Sequence, residues 1–184
     1  MVPYKHLDIP NFEHISRKLE RFVASVNVIK MGTFFNPFKA EEVLKWVPEI
    51  TSVLRVLDIT DFYSVAIIRA LPSSIAPNFP HTDIMPLPDQ QVALNWPVYN
   101  CKDTYTTFYE LKPDQKPEHN KLINNMPYER VTYDQVVETH RIKIDRPTLI
   151  RYDVLHAVVN KTNSVRITAS LRFKTNPWHL FEDE

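Results

Sequence analysis

At 184 residues with an apolar fraction of 43%, the chain is long enough to bury one sizeable core, and its 22 basic residues are matched by 22 acidic ones, a balance that argues against a life spent on the phosphates of duplex nucleic acid. A single cysteine, Cys101, excludes an intramolecular disulfide and a thiolate zinc site, and a single glycine, Gly32, excludes every glycine-rich phosphate loop. Met1 to Pro10 lacks an apolar signal core and no apolar run reaches bilayer length, so a soluble, cytoplasmic protein with no membrane partner is expected, folded as one domain over 1–184.

From Phe12 to Val26, Ile15, Leu19, Phe22, Val23 and Val26 recur at three- and four-residue steps, which predicts an amphipathic helix. A second helical stretch runs from Ala40 to about Leu57, kinked or divided at Pro48. Residues 1–60 are therefore read as helical support for a core over 61–175. From Phe62 onward the segments are short, β-branched and aromatic, bounded by Pro, Asn and Asp. Strands are predicted at Tyr63–Ala70, Val92–Val98, Thr104–Leu111, Arg141–Ile144, Thr148–Tyr152, His156–Val159 and Val165–Lys174, with a helical turn at Tyr133–Glu138. Lys112–Tyr128, charged and proline-containing, reads as a long loop, either a lid and substrate wall or a plain connector. In the last strand Ile167, Ala169, Leu171 and Phe173 alternate with Arg166, Thr168, Ser170 and Arg172. Such a strand is oily on one face and polar on the other. It suits a half-exposed strand, or a jelly roll whose outer face packs the helices and whose inner face lines a ligand site.

His81-Thr82-Asp83 follows a proline-rich approach, and in an extended segment residues two apart share a side, so His81 and Asp83 can converge on one ion. His156 lies 75 residues further on, and Arg166 follows it by ten, with Thr168 on the same strand face. Each feature alone is weak. Together, two imidazoles and a carboxylate make the set that holds iron(II) with three positions open, and a planar guanidinium suits the far carboxylate of a bidentate dicarboxylate.

With these residues the chain resembles the iron(II)/2-oxoglutarate-dependent dioxygenases, whose pattern is His-x-Asp, a distal His, and Arg-x-Ser/Thr about ten residues later. The resemblance spans roughly Ile67 to Phe173 and is to a small hydroxylase-like member. It implies a mainly β fold, a double-stranded β-helix (a cupin-like jelly roll) with the N-terminal helices packed on the outside. It implies His81, Asp83 and His156 as iron ligands and catalytic residues, Arg166 as the 2-oxoglutarate clamp, and Thr168 as a neutral donor to the same carboxylate. The implied cosubstrates are 2-oxoglutarate and dioxygen, with ascorbate as a stimulant. The expected activity is hydroxylation of a small molecule or a peptide side chain, with release of succinate and carbon dioxide.

Asn95 is a candidate amide donor to the cosubstrate or an ordinary buried Asn bonded to backbone. Thr107 and Tyr109 share one face of their strand and either meet the cosubstrate or form cross-strand packing pairs. Arg172 suits an acidic substrate group or a structural ion pair, and Arg69 suits the entrance. His6, His14, His119, His140 and His179 are read as surface residues. Two rivals stand beside the oxygenase: a cupin-like metal protein with non-oxidative chemistry, and a non-catalytic jelly-roll binding module. The order His-x-Asp, His, Arg disfavours both.

Overall fold

Side-chain alternation along the last strand organises the molecule. In the computed structural model, which describes residues 2–28, 34–60, 62–76, 78–83, 90–123 and 126–181, the apolar face of β12 (Arg166–Phe173) lies under the helices and its polar face looks inward. Ile167, Ala169, Leu171 and Phe173 join one core cluster with Ile15, Leu19 and Phe22 of α1 (Phe12–Ser25) and with Ile50 and Leu54 of α3 (Glu49–Val56). The same parity rules β5 (Val92–Tyr99): Val92, Leu94 and Trp96 point to the helices, and the Trp96 Nε1 donates 2.8 Å to Ser16 Oγ on α1. Burying this many large apolar side chains on one face, at about 25 cal/mol per Å², is what holds the helices to the sheet.

The described residues form two six-stranded antiparallel sheets, making a mainly β jelly roll with the N-terminal helices outside. The first sheet brings together β1 (Tyr4–His6), β10 (Thr148–Arg151), β5, β12, β3 (Phe62–Ala70) and β2 (Phe35–Lys39), in that order. The second runs β7 (Glu118–Ile123), β8 (Met126–Arg130), β4 (His81–Asp83), β11 (His156–Asn160), β6 (Thr104–Leu111) and β9 (Val136–Ile142). Pro97 sits inside the central strand β5, where its missing donor is accommodated by a register shift against β12 between Ile167 and Thr168. No helix among the described residues is long and apolar enough to cross a membrane.

The helical stretch expected over 40–57 is divided at Pro48, with α2 (Ala40–Leu44) before it and α3 after. With glycine nearly absent, left-handed positions fall to Asn and Asp, whose short polar side chains tolerate them best. Asn27 and Asp58 take φ of 51° and 54° just past α1 and α3. At Asp58 the chain closes a Schellman motif, Asp58 N–H to the Arg55 carbonyl and Ile59 N–H to that of Leu54. Gly32 itself lies outside the described residues.

Four expectations are corrected. The helical turn at Tyr133–Glu138 is a 3₁₀ turn over Tyr133–Gln135, closed by a capping box between Thr132 and Gln135, after which β9 already begins at Val136. Val136 and Val137 pair with Leu111 and Glu110 of β6, so ladder hydrogen bonds outbid the helical alternative. The strand expected at Arg141–Ile144 accordingly starts five residues earlier and ends at Ile142. The stretch read as a loop over 112–128 is largely a hairpin of β7 against β8, which continues the second sheet through pairs such as His81 with Arg130. The first sixty residues also carry the edge strands β1 and β2, which the helical reading passed over.

Candidate metal centre

Register builds this site. His81 and His156, each the first residue of its strand, stand directly opposite one another in the β4–β11 pair. Side chains of directly opposed residues share one sheet face with Cβ atoms about 4.5–5.5 Å apart. The two imidazole centroids are accordingly 4.6 Å apart. Asp83, two residues along β4, returns to the same face, with its Oδ1 3.8 Å from the His81 Nε2. One ligand atom from each of the three residues falls within 4.8 Å of the others.

The second ring nitrogens fix the tautomers. His81 Nδ1 donates to the Phe79 carbonyl at 2.8 Å and His156 Nδ1 to the Val154 carbonyl at 2.9 Å. A carbonyl can only accept, so each Nδ1 carries the proton and each Nε2 offers its lone pair to the shared centre. This is the outer bonding that orients metal-binding histidines. The Asp83 N–H donates to the Tyr152 carbonyl at 3.1 Å, which ties the carboxylate's strand to the segment just before His156.

His156 is buried, and its pKa is pushed down to about 4, chiefly by burial and then by neighbouring His81. Its ring is therefore neutral near pH 7, as a metal ligand must be. The sign for stability follows. Between pH 6.5 and about 4 the unfolded chain takes up a proton that the folded ring refuses, so stability is complete above 6.5 and drains away as pH falls. The full shift corresponds to about 3 kcal/mol. The urea midpoint of the metal-free protein is expected to fall between pH 7.5 and 4.5, and more steeply than that of His156→Gln. Identical pH slopes for the two proteins would refute the assignment.

The three residues open into a cavity of about 310 Å³ between the sheets. Arg166, Thr168 and Arg172 line it from β12, and Asn95 from β5. Arg166 and Thr168 are each 3% exposed, and the Arg166 Nε has no hydrogen-bond partner among the described residues. Asn95 is held by Tyr152, whose hydroxyl donates to its Oδ1 at 2.9 Å, with Ser170 Oγ 3.3 Å from the same hydroxyl. Among the described residues Asn95 is thus bonded to a side chain rather than to backbone. Arg69 lines the cavity while donating to the Val28 carbonyl at 3.1 Å.

Thr107 and Tyr109 do not meet the cavity. Tyr109 packs with Val131, Val136, Leu155 and Ala157, and it is Thr106, on the opposite parity of β6, that lines the cavity. His140 is half-buried against Tyr4 rather than on the surface, while His6, His14 and His179 are exposed as expected. The His119 side chain lies outside the described residues. Sequence reasoning missed Tyr152 altogether. Its ring lies 5.1 Å from that of His156, and only its place four residues before the distal histidine hinted at the contact.

Asn160 fastens the turn from β11 to β12. Its amide donates to the carbonyls of Ala70 and Ser164, and its Oδ1 accepts from the backbone and hydroxyl of Thr162. The turn sets how far Arg166 stands from His156. A more open groove of about 730 Å³ lies elsewhere, between Leu7–Phe12 and Lys143–Arg146, but its charges answer one another, with Arg146 3.4 Å from Asp8 and 3.6 Å from Asp145.

No family model matches the chain, and no curated protein matches it. Among solved structures it is similar to the crystal structure of SnoK, a non-haem α-ketoglutarate-dependent carbocyclase from nogalamycin biosynthesis. The identity is 12% and the TM-score 0.50, over 99% of this chain and 87% of that one. At that identity the likeness speaks for the fold.

Proposed function

We propose that this chain is a non-haem iron(II), 2-oxoglutarate-dependent oxygenase that hydroxylates a small molecule or a peptide side chain. The observation that carries the reading is the convergence of His81, Asp83 and His156, with both Nε2 lone pairs turned inward, on a cavity backed by a buried guanidinium. Two neutral imidazoles and one carboxylate suit iron(II) and leave positions for other ligands. Bound there, the metal would supply the redox chemistry by which 2-oxoglutarate and dioxygen become succinate and carbon dioxide while the substrate is oxidised.

The protein's own residues supply placement. Phe79 and Val154 hold the two imidazoles through their Nδ1 protons, so neither ring has to turn as the ion arrives. Arg166, buried on the inner face of β12, offers its fork to the far carboxylate of 2-oxoglutarate, with the Thr168 hydroxyl two residues on as a second donor. Asn95, oriented by Tyr152, presents an amide N–H to an oxygen of the cosubstrate. Phe35 and Phe79 add apolar lining to the cavity, and exclusion of water when cosubstrate binds there would strengthen each of these contacts.

The test is an anaerobic soak of crystals with manganese(II) and 2-oxoglutarate. The expected result is metal on His81, Asp83 and His156 and a carboxylate on Arg166. Metal at the three residues with no 2-oxoglutarate beside it would instead favour an ion cage with non-oxidative chemistry, and metal elsewhere would end the proposal.

A further inference from the structure

His81 begins β4, and the three residues before it, Asn78, Phe79 and Pro80, lie outside any strand. Pro80 has no N–H, so its peptide cannot be pinned through a donor of its own. The segment is held by its carbonyls instead, each by a different group. Asn78 accepts from the Tyr133 hydroxyl at 2.6 Å, Phe79 from the His81 Nδ1 at 2.8 Å, and Pro80 from the Val131 N–H at 3.0 Å. The bond that orients the His81 ring thus lies between two bonds supplied by residues 131–133.

The same stretch grips the Phe79 side chain. The Arg130 guanidinium carbon lies 4.7 Å over its ring, and the Tyr133 ring is 6.3 Å from it. Tyr133 is fixed in its turn. Its ring meets that of Tyr109 edge-on at 5.9 Å, and the 3₁₀ turn that carries it is tied to the chain just past β6. There the Lys112 N–H donates to the Gln135 carbonyl at 2.9 Å, and the Lys112 Nζ to the Asp134 carbonyl at 2.7 Å. Burial raises the pKa of the Tyr133 hydroxyl above its ordinary 10.0, so near neutral pH the group keeps the proton it donates.

The two imidazoles differ in how much they depend on a carbonyl. His156 is 4% exposed and packs against the rings of Phe108 and Tyr152, which confine it from either side. The His81 side chain is 22% exposed, and its ring neighbours are Tyr128 at 6.1 Å and His156 itself. A ligand set has to be held within about 0.5 Å and 10–20° of its working geometry. For His81 that tolerance rests on where the Phe79 carbonyl stands.

Building on the metal-centre reading, we propose that Tyr133 is a positioning residue for His81. Its hydroxyl fixes the Asn78 carbonyl, which sets the Phe79 peptide and with it the direction in which the His81 Nε2 points. Tyr133 does not line the cavity, so it acts on the ion only through the segment it holds.

The experiment uses the full chain and manganese(II), with affinity read by calorimetry. Tyr133→Phe removes the hydroxyl and keeps the ring. It is expected to weaken manganese binding about threefold to tenfold, less than the ~10–100-fold that an immediate partner of a ligand commands. Tyr133→Leu, which also takes the ring from Phe79, should lose more. The second readout is the imidazole nitrogen shifts of the metal-free protein in alkaline buffer, detected through the carbon-bound ring protons. The wild type should show both rings protonated at Nδ1. In Tyr133→Phe the His81 signals should move toward the other tautomer while those of His156 stay in place. Lys112→Met loosens the same turn at the Asp134 carbonyl but leaves the hydroxyl, and it should keep manganese affinity within twofold. Circular dichroism confirms that the variants are folded. If the wild type binds no manganese, or His81→Ala binds it equally well, the metal-centre reading fails and this inference with it. If the wild type binds through His81 but Tyr133→Phe matches it in affinity and in nitrogen shifts, the positioning role alone is refuted. Equal movement of both histidines, or an equal loss of affinity in Lys112→Met, would mark a general loosening and overturn it as well.

Discussion

Asp83→Ala is expected to reduce 2-oxoglutarate-dependent succinate formation to background. Of the three groups that converge between β4 and β11, Asp83 is the one anion, and an ion held by two neutral imidazoles alone loses its charge partner as well as a ligand. Mutating even an outer partner of a metal ligand costs about 10–100-fold in affinity, so loss of the carboxylate should exceed that range. His81→Ala and His156→Ala are expected to act likewise. Binding to the folded state alone stabilises by mass action, so manganese(II) should raise the melting temperature of the wild type and leave that of Asp83→Ala unmoved. The metal-free variant should melt close to the metal-free wild type, since Asp83 is only half-buried. Succinate formation at the wild-type rate by Asp83→Ala would show that the ligands have been misassigned.

For Arg166→Ala the expected result is a rise of roughly 100- to 1,000-fold in the 2-oxoglutarate concentration needed for half-maximal turnover, with manganese(II) affinity unchanged. Truncating one partner of a buried, hydrogen-bonded charge pair costs about 2–5 kcal/mol, much of it from the charge left behind. Here the abandoned charge would be the diacid's far carboxylate, deep between two sheets. Arg166→Lys should recover only part of the loss, because a single ammonium cannot reproduce the planar fork. Stability separates this role from a structural one. The Arg166 Nε is buried without a hydrogen-bond partner among the described residues, so removing the guanidinium from the ligand-free protein should be neutral or stabilising. An unchanged 2-oxoglutarate requirement would make Arg166 incidental.

The legible parts of this protein are those governed by period and by ligand chemistry. The helical period over Phe12–Val26 picked out Ile15, Leu19, Phe22 and Val23, all of which are buried in α1. Alternation in β12 separated its oily face from its polar one, and the structure puts the first under the helices and the second in the cavity. Thr106 and Thr107 show where such reasoning stops. Both are buried, so composition carries no sign of which face looks inward, and one step of parity exchanges the cavity for the packed side. Likewise β7 and β8 are polar strands without an alternating apolar face, and β2 contains a proline, so neither pattern announces a strand.

From its order of residues alone the chain determined a glycine-poor, disulfide-free and β-rich composition, the spacing of two histidines, an acid and an arginine, and the polarity of each face of the last strand. These are local properties, set by side-chain chemistry and by the periods of helix and strand. Only the tertiary structure decided that His81 stands opposite His156, that Thr106 rather than Thr107 faces inward, and that Arg172 rests on Tyr152. Those outcomes depend on register and on which sheet each strand joins. Both are settled by burial summed over the whole molecule, which no local window of residues contains.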